Sequence, residues 1–287
     1  MRRLGLALCG VALACASRAE AFEGTLKWRL VQIDKTAMDK VAGDGSDAAK
    51  VFAVPYEKLM SMHGQAKVVD ATVSVKGNKM RADTTARDGK GYFIVDLDTG
   101  LTQVVMPSEK KVLTVTKEDI QGMESRVASA RAMFEKQLEN ADAEKRAKME
   151  PFLKQPPGPD DVEVVSIDKE QVLYGMKTNA FEVRGAPQQS IVGWVTDDRP
   201  QILELFKKIE KTRSQMGTQA QPPKRALTKE GLPVRVQTLD AKMYTVEDLV
   251  EIEEKPLPDE LFAVPADYTK TNPREIAERA APAKKPN

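Results

Sequence analysis

Residues 66–116 read AKVVDATVSVKGNKMRADTTARDGKGYFIVDLDTGLTQVVMPSEKKVLTVT, and this stretch decides the fold class. Val69, Ala71, Val73 and Val75 alternate with Asp70, Thr72, Ser74 and Lys76. A period of two puts the first set on one face of a strand and the second on the other. Gly77-Asn78 supplies a hairpin turn, and Lys79–Thr85 returns alongside. Asp88-Gly89 and Asp98-Thr99-Gly100 bracket the strand Gly91–Val95. Leu101–Met106 and Lys111–Thr116 follow, parted by Pro107-Ser108. Short links between consecutive strands predict an antiparallel meander.

Upstream, residues 22–30 alternate in the same way. Phe22, Leu26, Trp28 and Leu30 share one side, and Glu23, Thr25, Lys27 and Arg29 the other. Residues 36–63 interrupt the first two strands as an excursion, with a short helix over Tyr56–Met62. Downstream the period changes. Ile120, Met123, Val127, Ala130, Phe134, Leu138, Ala141 and Met149 step mostly by three and four, which predicts an amphipathic helical segment over 117–150. A single helix of that length would run about 50 Å. Pro151 and Pro156-Pro157-Gly158-Pro159 end it. Strands then return at 162–167, 172–174, 180–184 and 190–196. Asp197-Asp198 cap a helix with Pro200 in its first turn and Ile202, Leu205, Phe206, Ile209 and Met216 on its apolar face. Strands at 233–239 and 248–254 close the domain, and a tail rich in Ala, Lys and Pro is expected to be mobile from 269 to 287. Hairpin-linked strands with helices set to one side indicate an α+β fold on one antiparallel sheet.

Residues 1–21, MRRLGLALCGVALACASRAEA, have the layout of a secretory signal. Arg2 and Arg3 lead an apolar run from Leu4 to Ala16, and Ala19 and Ala21 flank Glu20 in the small-x-small pattern of a cleavage site. The run spans about 20 Å as a helix, less than a bilayer core of about 30 Å. No later segment is apolar enough to span, so the mature chain is expected to lack a transmembrane helix and to be exported, in the periplasm. Both cysteines, Cys9 and Cys15, lie in the leader. Cys15 is a poor lipidation site, because Ala12 stands where Leu is preferred. The mature chain then has no thiol.

The chain carries 44 Lys+Arg against 43 Asp+Glu, a formal charge of +1. Losing Arg2, Arg3, Arg18 and Glu20 brings the mature form to about −1. That balance gives no electrostatic case for nucleic acid. One histidine, His63, excludes a His-rich metal site, and Ser61 two residues before it is not thereby a nucleophile. Asp96-Leu97-Asp98-Thr99-Gly100 looks like the start of a calcium loop, but Gly is fifth and the twelfth position is Pro107. A turn explains it better. Phosphate loops and nucleophile elbows are missing. No catalytic residue, metal ligand or cofactor is expected.

Five segments resemble a known family: VSVKGNKMRADT (73–84), GYFIVDLDTGLTQVVMPSEKKVLTV (91–115), GWVTDD (193–198), GLPVRVQTLD (231–240) and PLPDELFAVPADYTK (256–270). The resemblance is to exported proteins of a domain-of-unknown-function family thought to share the half-barrel of the outer-membrane lipoprotein carriers LolA and LolB. It implies a curved antiparallel sheet with helices on or across its concave face, as a single domain over 22–268. The charged helix at about 117–150 departs from that pattern as an insertion. The resemblance also implies an apolar cleft, which in the carriers holds acyl chains.

Trp28, Leu30, Val73, Val75, Met80, Phe93, Val95 and Met106 are the residues whose side chains would line such a cleft. The same residues would equally build an ordinary core. Two readings follow. The first is an exported, non-catalytic binding or carrier protein holding a lipid or acyl group. The alternative is a structural or protein-interaction module of the cell envelope with a filled core, in which the long helix meets an envelope protein.

Overall fold

The alternation read from the sequence builds twelve strands, seen in a computed structural model that describes residues 21–43, 47–62, 64–86, 89–139, 162–186, 189–215, 226–273 and 275. The leader up to Glu20, both cysteines, His63 and residues 140–161 lie outside the described residues. In chain order the elements are β1 (Gly24–Asp34), α1 (Lys35–Ala42), α2 (Ala48–Phe52), α3 (Tyr56–Met60), β2 (Ala66–Lys76), β3 (Lys79–Ala86), β4 (Gly89–Asp96), β5 (Thr102–Met106) and β6 (Lys111–Val115). There follow α4 (Lys117–Glu139), β7 (Glu163–Leu173), β8 (Met176–Arg184), β9 (Gln189–Thr196), α5 (Pro200–Gln215), β10 (Leu232–Asp240), β11 (Met243–Glu254) and β12 (Thr269–Thr271). All twelve strands form one curved sheet in the order β12-β6-β5-β4-β3-β2-β1-β11-β10-β9-β8-β7. Every neighbouring pair is antiparallel except β12 with β6. The fold is therefore α+β on an antiparallel sheet, as expected.

Four local readings change. The sheet does not end at Tyr268, since Thr269–Thr271 pair with Lys111–Leu113, so the boundary placed after residue 268 moves outward. The excursion after β1 holds three short helices instead of one. The strand predicted at 248–254 begins at Met243, and Asp240 turns the β10–β11 hairpin by accepting from the amides of Lys242 and Met243. Asp198 does not cap α5. Its carboxylate accepts from the amide of Lys177 (3.1 Å), and the carbonyl of Arg199 begins the helix.

One face of the sheet packs against α5. Ile202 and Leu205 are buried there with Leu26, Val75, Val95, Leu97 and Leu249, and Trp28, Val73, Met80, Phe206 and Ile209 flank them. The Trp28 and Phe206 rings meet at 5.7 Å, tilted by 50°. The Thr212 hydroxyl donates to the Leu97 carbonyl (2.9 Å), and Lys208 pairs with Asp98 (2.6 Å). These contacts fix α5 to the β4–β5 turn. That turn spends its own carboxylate internally: Asp96 Oδ1 accepts from the amides of Asp98 and Thr99. This settles the calcium-like motif as a turn.

Further along the same face, Leu227 seats on β9. A Cβ at Gly193 would lie 2.5 Å from Leu227 Cδ1. Gly193→Val should therefore cost about 1–3 kcal/mol by overpacking, read as a lowered urea midpoint.

The opposite face is closed by other parts of the chain. Met38, Val51 and Leu59 from α1, α2 and α3 pack on Val31, Ile33, Leu239, Tyr244 and Val246. The segment after β11 covers β4–β6, where Val264 and Tyr268 meet Ile94, Val105 and Val112. Arg81 anchors it, donating to the Leu261 carbonyl (3.0 Å) while its guanidinium stacks 3.7 Å from the Tyr92 ring centre. Extra residues at Val234 in β10 and Val250 in β11 shift the pairing register, and such bulges bend and twist a sheet.

The long helix has a topological reason. β6 and β7 lie near opposite edges of the sheet, ten strand steps apart. At about 4.8 Å per step that is roughly 48 Å if flat. The link from Thr116 to Val162 must bridge it, and the 23 residues of α4 cover about 34 Å. The helix expected as an insertion lies in the link between β6 and β7. Thr116 and Asp119 form a reciprocal capping box at its start. Ile120 and Leu138 near its ends are buried, whereas Met133 between them is 67% exposed.

Candidate functional site

The eight residues singled out from sequence all lie on the α5 face, because the pairing register puts them in phase. Trp28 pairs with Ala71 and Leu30 with Val69, which share the face of Val73 and Val75. Val75 pairs with Met80 and Met80 with Val95. Val73, Ala82, Phe93, Val104 and Leu113 pair in succession across β2 to β6. Met106 follows Val104 by two in β5 and shares its face.

They are not equally covered. Val75 and Val95 are buried beneath α5. Trp28, Val73 and Met80 sit at its margin. Leu30, Phe93 and Met106 lie beyond the α5 cluster and are half-buried. The row Val73–Ala82–Phe93–Val104–Leu113 is half-buried throughout. It crosses four strand intervals, about 19 Å. Chemically this surface offers apolar contact and shape, with no nucleophile and no charge along the row.

A second constellation lies on the opposite face, and the sequence reading misses it. Arg235 and Asp248 pair directly between β10 and β11. Arg235 Nε donates to Asp248 Oδ1 (2.6 Å) and Nη2 to Oδ2 (3.0 Å). Asp248 is fully buried and Arg235 is 9% exposed. The Tyr174 hydroxyl donates to Asp248 Oδ2 (3.0 Å) and accepts from Arg235 Nη2 (3.3 Å). The Tyr56 ring of α3 lies 4.6 Å from the Arg235 guanidinium carbon. Arg29, paired with Asp248 across β1 and β11, makes a second two-point ion pair with Asp70 (2.8 and 3.1 Å).

Tyr174 shows that this pairing is built in. It occupies a two-residue β7–β8 turn with Gly175, at φ +51° and +79°. Such turns favour Asn-Gly, because a bulky side chain is strained at positive φ. The tyrosine is tolerated there and reaches over β9 and β10 to β11, which also shows how strongly the sheet curls at this end.

Burial drives the electrostatics. It pushes the Tyr174 hydroxyl well above the usual phenol range, and the Asp248 charge adds to this. Tyr56 and Tyr244 rise for the same first reason. For Arg235, burial opposes the charge, but the hydrogen bonds and charge of Asp248 outweigh it and raise its pKa. The hydrogen bond from Arg29 holds the Asp70 carboxyl below the usual carboxylate range. A lowered folded-state pKa stabilises the fold above the ordinary carboxylate value, and that stability is lost as pH falls through the folded one. Thermal stability should therefore drop below about pH 4, and Asp70→Asn should shrink that drop. Melting curves between neutral and acid pH test this. The effect is modest, because the Asp70 side chain is 61% exposed and screened by solvent.

Among the described residues no group of three or more His, Cys, Asp or Glu is placed to hold a metal, and no helix is long and apolar enough to cross a membrane.

A family model described as a domain of unknown function (DUF4412) matches residues 58–268, a span that includes both constellations apart from β1 and Tyr56. No curated protein matches the chain. Among solved structures, an uncharacterized conserved protein from Thermus thermophilus is 7% identical over 86% of this chain and 90% of its own, with a TM-score of 0.36. MucB is 9% identical over 87% of this chain and 61% of its own, with a TM-score of 0.34. LprF from Mycobacterium bovis is 11% identical over 86% of this chain and 90% of its own, with a TM-score of 0.29.

Proposed function

The chain belongs to the DUF4412 family of domains of unknown function, and from that premise we propose that it is an exported, non-catalytic binding or carrier protein for a lipid or acyl group. One observation supports this reading above the rest: the apolar row Val73–Ala82–Phe93–Val104–Leu113 is left half-covered on the α5 face. Its run of about 19 Å suits one extended long-chain acyl group. Each Å² of apolar surface removed from water contributes about 25 cal/mol. Met80 and Met106 at its borders are unbranched and adapt to an irregular alkyl guest.

The opposite face is already occupied by α1–α3, by the β7–β8 turn and by the segment after β11. Export and a periplasmic mature chain are inferred from the leader-like layout of residues 1–21.

A photoactivatable fatty acid tests the reading. Cross-links should concentrate on peptides containing Phe93, Val104 and Leu113. Labelling spread evenly over the surface, or none, contradicts it. The second reading, an envelope interaction module, is favoured by the exposed Met133 of α4. It predicts no acyl labelling and an envelope partner lost on Met133→Glu.

A further inference from the structure

Beneath α2 and α3, two polar atoms are sealed from solvent without a hydrogen-bond partner. They are the hydroxyl of Tyr244, which is 0% exposed, and Oε1 of Gln237, which is 4% exposed. Both side chains lie on the face of Arg235 and Asp248. Gln237 is two residues from Arg235 along β10, and Tyr244 is four from Asp248 along β11. The Tyr244 hydroxyl lies within the electrostatic reach of that ion pair. The buried hydroxyl of Tyr56 is a third group with no hydrogen bond of good geometry.

Buried hydroxyls and amide oxygens are costly unless bonded, and this neighbourhood has polar groups enough to give one water its usual two to four partners. A charged guest is disfavoured, since both arginines already carry matched aspartates. We propose that this buried polar cluster is a hydration site, in which ordered water links Tyr244, Gln237 and the Arg235–Asp248 pair.

The sign of a substitution tests it. Removing an unpaired buried polar atom relieves a penalty and stabilises, whereas removing one bonded to water breaks a bond and destabilises. Tyr244→Phe and Gln237→Met keep the shapes of their side chains. Each should lower the melting temperature by about 2–4 °C. The double variant should lose less than the sum, because both bind the same water. A crystal structure of the unaltered protein should place a water bonded to both side chains. Unchanged or raised melting temperatures, or a crystal structure without that water, overturn the proposal.

Discussion

Asp248→Ala should destabilise the protein by about 3–5 kcal/mol. The reason is the partner left behind. Arg235 is 9% exposed and donates both of its strong hydrogen bonds to Asp248. Without the carboxylate its guanidinium stays buried and uncompensated, and the Tyr174 hydroxyl loses its acceptor. The paired replacement Arg235→Met with Asp248→Leu should recover most of the loss, because apolar side chains of similar volume often match a buried ion pair. Urea unfolding of the two singles and the double resolves this. If Asp248→Ala costs less than about 1 kcal/mol, the pair is not the buried constraint described above.

Phe93→Glu is expected to give the largest loss of binding. Phe93 stands mid-row between Ala82 and Val104 and outside the packed cluster under α5. Burying a phenylalanine contributes about 1.5–3 kcal/mol, so losing that contact weakens an acyl guest about 10- to 100-fold. A carboxylate facing an alkyl chain adds a desolvation penalty. Since Phe93 is half-buried, the fold should survive the change. By contrast, Val95→Glu should unfold the protein, because Val95 lies under α5. Fatty-acid titrations alongside melting curves separate the two effects. Equal affinity for Phe93→Glu and the unaltered chain would mean that the row is not the binding surface.

Much of this architecture is legible in the sequence, because the meander announces itself. Strict alternation through Val69–Val75 and a Gly-Asn turn leave few other folds, and in-phase residues such as Val73 and Phe93 land on one face. The helix face of Ile202, Leu205, Phe206 and Ile209 is equally plain. Two strands resist reading. The bulge at Val250 throws residues 243–249 out of phase with 252–254, so only the end of β11 is visible in the pattern. β12 pairs through three backbone residues and carries no pattern to find.

Which part of the apolar face is covered depends on where α5 comes to rest, more than a hundred residues after the strands it caps. Spacing alone cannot tell Val95, which is buried, from Phe93, which is only half-covered. The Arg235–Asp248 pair is hidden among 87 charged residues. One local signal is Arg235, the lone charge in LPVRVQTL, whereas Asp248 stands between other acids in VEDLVEI. A tyrosine where the β7–β8 turn would favour asparagine is a second clue.

Native mass spectrometry of the protein, gently extracted from an envelope fraction, addresses the acyl-binding claim most directly. The unaltered chain should carry added mass in the range of a lipid or fatty acid, and Phe93→Glu should fly without it. Bare polypeptide mass for the unaltered chain would contradict the proposed role.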